Sequence, residues 1–271
     1  MTTVAPRTTQ AKRPPQGVQA TARIRATRVG STTTLPVLDG DGPFELRRNR
    51  SHGDEGRVCI LGAMSAPLGG DRLRIEATAE QGAHLHITSA AATVALRGPT
   101  LEHATYDVRL TVAEQARLHW LPKPLISTAR SNLRQTCSID LAATARLVLR
   151  EEQVLGRVNE PPGRLTTRLT VRHDGHPLLD QQTVFGPGAP GWDGPAGIAG
   201  HRAVGHILIV DPAFEKEPPK VRLLGGDPAQ GHAVLTPLVG PAVLVTALAP
   251  DPMRLRRLLD TAHLIAQNAS R

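Results

Sequence analysis

Three segments of this chain follow one pattern, and that pattern limits the fold more than any other feature. Ala83-His84-Leu85-His86-Ile87, Ala116-Arg117-Leu118-His119-Trp120 and Ala145-Arg146-Leu147-Val148-Leu149 each read small, basic, Leu, variable, large apolar. Each follows a short turn, at Glu80-Gln81-Gly82, Ala113-Glu114-Gln115 and Ala142-Ala143-Thr144. A spacing of about 30 residues is typical of arrays built from one supersecondary unit. Successive hairpins of a β-sandwich are the alternative. Either way the protein is mainly β, and the fold predicted is one of stacked, solenoid-like strands with a C-terminal helix.

The core must be aliphatic, because hydrophobic residues make up 40% of the 271 and aromatic residues 2%. Residues 21–271 are read as one β domain. Residues 1–20, rich in Thr, Pro, Gln and basic groups without an acid, are read as a disordered basic tail. The net charge is +8 and the pI about 10.6. That balance favours anionic partners. Nucleic acid is not expected, since few aromatics are available to stack on bases. The two cysteines, Cys59 and Cys137, make no disulfide framework and fit a reducing cytoplasm. No apolar run reaches the ~18 residues of a membrane span, and no secretory signal is expected.

Alternation is clear from Asp71 onward. Asp71, Leu73, Ile75, Ala77 and Ala79 share one face; Ala145, Leu147, Leu149 and Glu151 share another. Both series place a carboxylate on an apolar side. Such a group is costly unless paired, hydrogen-bonded or bound to a cation; the alternative is a strand end that turns it out to water. Further strands are predicted at Ala22–Val29, Phe44–Arg48, Arg57–Gly62, Thr105–Val112, Leu133–Leu141, Leu165–Arg172, Pro177–Val184, Val204–Val210, Ala233–Leu238 and Ala242–Leu248. Asp174-Gly175 marks a hairpin. Asp251-Pro252 opens the one predicted helix, to about Gln267, with the arginines at 254, 256 and 257 facing water.

Catalytic signatures are lacking. The chain has no phosphate-binding Lys-Ser/Thr loop, no G-x-S-x-G elbow and no C-x-x-C or helical His pair. His86 and His119 hold equivalent repeat positions and read as a solvated pair; Cys137 and Trp120 read as core. No catalytic residue, resident cofactor or enzymatic activity is predicted.

In the order and spacing of several landmarks the chain resembles the urease accessory protein UreD family, called UreH in some organisms. They are Leu68-Gly69-Gly70-Asp71-Arg72-Leu73, Gly82-Ala83-His84 with Ile87 to Thr93, Leu118 to Pro124, Leu149-Arg150-Glu151 with Leu155-Gly156-Arg157, and the closing strand and helix from Val243 to Gln267. The resemblance implies a non-catalytic scaffold in the cytoplasm. It would bind a UreF-like protein, which recruits the GTPase UreG, and dock on urease apoprotein to assist nickel insertion. It further implies an acid-lined internal route for nickel in transit, onto which Asp71, Glu151 and Glu160 map. Departures stand at Ala66-Pro67 (usually two glycines), Val94-Ala95-Leu96 (usually Lys, an aromatic and Tyr), His119 (commonly an acid) and Lys123 (usually Gln). Two other readings remain: a β-helical carbohydrate-active hydrolase with paired carboxylates, and a polyanion binder with salt-dependent affinity.

Overall fold

In the computed structural model, residues 17–51 and 53–268 are described. The chain enters as β1 (Gln19–Val29), returns as β2 (Thr32–Asp39), and continues through an antiparallel pair, β3 (Phe44–Asn49) and β4 (Gly56–Gly62). A coil follows. Its first turn is β5 (Arg72–Ala79), β6 (His84–Ser89) and β7 (Thr93–Ala95). Its second is β8 (Ala104–Val112), β9 (Arg117–Leu121) and β10 (Leu125–Ser127). The third is β11 (Asn132–Leu141) and one long strand, β12 (Arg146–Leu155), which pairs with β9 in its first half and β10 in its second. β13 (Arg164–His173) starts a further turn and β14 (His176–Phe185) folds back on it. After a long loop come β15 (Ala203–Val210), β16 (Arg222–Leu224), β17 (His232–Pro237), β18 (Ala242–Ala249) and helix α1 (Pro252–Asn268).

Two sheets result. One has seven strands in the order β14-β13-β11-β8-β5-β1-β2; the other has eleven, β16-β17-β18-β15-β12-β9-β6-β4-β3, counting β7 and β10, which branch off beside β12. The coil's ladders are parallel and the flanking strands are antiparallel. The sequence repeat is this stacking. Leu85 pairs with Leu118 and Leu118 with Leu147, and all three are fully buried. The alanine opening each copy, 83, 116 and 145, is also fully buried.

Facing that ladder, the seven-stranded sheet presents equally regular rows. Ile24, Ala77, Leu110, Ile139 and Val171 form one row across five strands; Ala22, Ile75, Val108, Cys137 and Leu169 form the next. These aliphatic rows fill the space between the sheets. Cys137 and Trp120 are core, as expected. A second core lies under α1, where Leu255, Leu259, Ala262 and Ala266 cover β15, β17 and β18. Gly205 on β15 makes this possible: a Cβ there would lie 2.9 Å from Leu259 Cδ1 and 3.0 Å from the Glu151 carbonyl. Asp251 caps the helix, accepting from the Arg254 amide at 2.9 Å.

Several expectations need correction. Gln19 and Ala20 belong to β1, so the fold begins before residue 21; residues 1–16 lie outside the described residues. β2 was not anticipated, because its Thr-rich, Pro-containing sequence is that of an edge strand rather than a core one. Arg256 does not simply face water: its guanidinium reaches Glu152 at 3.4 Å. The Asp174-Gly175 hairpin is as expected, both residues having positive φ, 48° and 72°. Among the described residues, no helix is long and apolar enough to cross a membrane.

Candidate functional site: a polar seam between the sheets

The aliphatic rows give way to polar ones at one end of the coil. On the seven-stranded sheet, Leu73, Tyr106, Gln135 and Thr167 are register partners, and Thr167 pairs with Thr183 of β14. On the opposite sheet, Glu151 pairs with His206, and His206 with Thr246. Side chains from both rows meet. Gln135 Nε2 donates to Glu151 Oε1 at 3.1 Å, and His206 Nε2 lies 3.3 Å from Glu151 Oε2. Glu151 is 5% exposed. Beside it is a cavity of about 40 Å³ lined by Gln153, Thr167, Thr183, His206 and Thr246, among others. That is room for a water molecule or a small ion.

The seam is not self-satisfied. Among the described residues, Gln135 Oε1 is buried without a hydrogen-bond partner, and His206 Nε2 meets Glu151 without hydrogen-bond geometry; such groups seek a ligand. Glu151 is felt nearby. Burial, and then this carboxylate, push the Cys137 thiol well up, and push the Tyr106 phenol up despite its hydrogen bond with Thr93.

The three acids named from sequence are differently placed. Glu151 faces the interior, as its alternation requires. Asp71 is also buried, just before β5, but both its oxygens are engaged: Oδ1 accepts from the Val18 amide at 2.8 Å and Oδ2 from the Leu68 amide at 2.7 Å. Glu160 lies in the turn after β12, and its carboxylate is clasped by Arg157 Nε at 2.8 Å and Nη2 at 2.9 Å. That hydrogen bonding to Arg157 holds its pKa down to about 2. The strand-end alternative therefore fails for Asp71 and Glu151, neither of which turns to water.

Gln135, His206 and Thr246 escaped the sequence reading. Gln135 shares the inward parity of Cys137, Ile139 and Leu141, so extending that alternation by one step would have found it. His206 stands alone among Val, Ile and Leu, a signal in itself. Its partnership with Glu151 was not legible, because β13, β14 and a long loop separate β12 from β15.

His86 and His119 are ladder neighbours on the face opposite Leu85 and Leu118, as the repeat implied, but half-buried rather than fully solvated: their rings stand edge to face at 5.4 Å, and His84 meets His119 at 5.3 Å. Burial first, then the neighbouring histidines, lower the pKa of His119 to about 4. The departures at Ala66, Val94 and Leu96 also gain a location. All three line one cavity of about 650 Å³, together with Phe44, Tyr106 and Trp120.

Comparison with known proteins bears on this architecture as a whole. The family profile described as "UreD urease accessory protein" matches residues 18–270. This chain belongs to the UreD family. A Saccharopolyspora erythraea protein named "Urease accessory protein UreD 2" is 62% identical over 262 residues, covering 97% of this chain and 93% of its own. A Streptomyces coelicolor protein named "Urease accessory protein UreD" is 58% identical, covering 91% and 96%. A second S. erythraea protein, "Urease accessory protein UreD 1", is 33% identical over 76% of each chain. UreD membership thus spans both sheets, the seam and α1.

Proposed function

We propose that this chain is a non-catalytic scaffold of urease maturation in the cytoplasm. It recruits UreF-like and UreG-like proteins to urease apoprotein and hands on nickel through the polar seam, holding no resident cofactor. Family membership supports the urease role, and the buried Glu151 carboxylate beside the His206 imidazole and a Gln135 oxygen without a hydrogen-bond partner among the described residues supports the nickel role.

The donor set suits passage rather than storage. One carboxylate, one imidazole and an amide offer a divalent ion few contacts, and imidazole and carboxylate oxygen both accept nickel. Among the described residues, no three His, Cys, Asp or Glu side chains already converge as a metal centre. Asp71 and Glu160 join this route only by exchanging their backbone and Arg157 partners, so Glu151 carries the proposal.

The test is urease activation with and without this chain. Deletion should abolish nickel-dependent activation, and UreF-like and UreG-like proteins should co-purify with the chain. A Glu151→Leu variant should keep those partners and lose most activation. Full activation by that variant refutes the route through Glu151; normal activation without the chain refutes the scaffold role.

A further inference from the structure

The outer face of the eleven-stranded sheet carries a second polar cluster that the seam does not use. His84 and His86 alternate on β6, and His119 pairs with His86 on β9. Glu55, immediately before β4, lies against them. Its Oε2 is 3.6 Å from His84 Nε2 and 3.8 Å from His86 Nδ1. Asp54 Oδ1 lies 3.5 Å from His84 Nδ1, on the far side of that ring.

We propose that His84, His86, His119 and Glu55 form a binding site for a divalent transition-metal ion of the zinc, cobalt or nickel class. Three imidazoles and a carboxylate are a set such ions accept and calcium or magnesium do not favour. His84 has the arrangement of a ligand. One nitrogen faces the Asp54 carboxylate, which orients the ring. The other nitrogen is buried, has no hydrogen-bond partner among the described residues, and faces Glu55. The spacing also fits. With nitrogen–metal bonds of ~2.0 Å, three imidazoles around a tetrahedral ion place their ring centres roughly 5 Å apart; here two of the pairs are at 5.3 and 5.4 Å. Stacking of half-covered rings would account for the contacts, but not for the buried His84 Nε2 left without a hydrogen-bond partner among the described residues.

The side chains are not yet gathered round one point, so the edge-to-face rings must rotate to bring nitrogens inward. Arg57 opposes the site. Its Nε hydrogen-bonds Glu55 Oε1, and its charge competes with any cation for that carboxylate. Removing that charge should therefore strengthen binding, an outcome no purely structural role of the cluster gives.

The proposal is independent of nickel passage through the seam, and its test reads metal binding directly. Co²⁺ is titrated into the full chain and its visible ligand-field bands are followed. One equivalent should bind with the spectrum of a low-coordinate nitrogen-rich site. Affinity should fall by about tenfold or more in His86→Ala/His119→Ala and rise in Arg57→Gln. Cys59→Ser, at a thiol outside the cluster, should leave the spectrum unchanged. Should the double variant not fold, His84→Gln alone should weaken binding. Wild-type affinity in the folded histidine variants, or a spectrum lost only in Glu151→Leu, overturns the proposal.

Discussion

Gln135 reaches across the gap between two sheets to donate a hydrogen bond of 3.1 Å to Glu151. The contact links β11 to β12, consecutive strands that the coil has placed in opposite layers. It makes a polar crossing in an interior otherwise filled by aliphatic rows, and its cost and its use can be separated experimentally. Replacing Glu151 by Leu removes a buried charge and fills its space with apolar atoms. Removing the charge and adding apolar atoms offsets the cost of about 1–3 kcal/mol for the Gln135 amide left without its acceptor. Denaturation should show at most a small loss of stability while most urease activation is lost. A variant that loses both stability and activation would mark Glu151 as structural.

Asp71 predicts the opposite balance. Its two oxygens accept from the Val18 and Leu68 amides and pin the start of β1 to the turn before β5. In Asp71→Asn one oxygen becomes a donor and faces an N–H. A loss of about 1–3 kcal/mol is expected, the cost of one unsatisfied buried group. Urea unfolding would register it, and hydrogen exchange at the Val18 and Leu68 amides should quicken first. Unaltered protection of both amides would contradict this assignment.

Glu152 anchors the C-terminal helix. Its side chain is 1% exposed and accepts from Arg150 Nε at 2.7 Å, while Arg256 of α1 approaches at 3.4 Å. Arg150 also holds Asp260 of α1 at 2.5 Å. Glu152→Ala leaves the largely buried Arg150 short of one partner, and breaking such a pair costs about 3 kcal/mol. Thermal unfolding should move to lower temperature, with α1 more open to proteolysis. Arg256→Ala, at a more exposed partner, should cost under about 1 kcal/mol.

Stability should also depend on pH through His119. Its folded pKa is about 4 because it is buried, with His84, His86 and His263 adding to the fall and Glu55 opposing it. The ordinary value is 6.5. Between these values the unfolded chain takes up a proton that the folded chain refuses. Stability is therefore greatest above pH 6.5 and declines as the pH falls toward 4. His86 and His263 are shifted the same way, each chiefly by burial. Discounted for residual exposure, His119 should contribute a loss of about 1–2 kcal/mol across that window. His119→Gln, measured in a chelating buffer, should flatten the slope between pH 6.5 and 4; an identical slope in the variant would place the titrating group elsewhere.

Much of this architecture was written in local periodicity. The small-basic-Leu pattern at 83, 116 and 145 specified stacked strands, because a period of two with a recurring turn admits few other arrangements. The same parity placed Asp71 and Glu151 inward, and the Asp-Pro start with Leu spacing marked α1. What each acid does was not legible. Asp71 and Glu151 look alike as carboxylates on apolar faces, yet one is spent on two backbone amides and the other meets Gln135 and His206. Parity fixes the side of a strand on which a residue lies. Which residue waits on the other side depends on how loops of unequal length set one sheet against the next, and that is decided only when the whole chain has closed. His206 reached Glu151 past two strands of the other sheet and a long loop for that reason, and Glu55 reached the histidines of β6 because a parallel ladder laid β4 beside them.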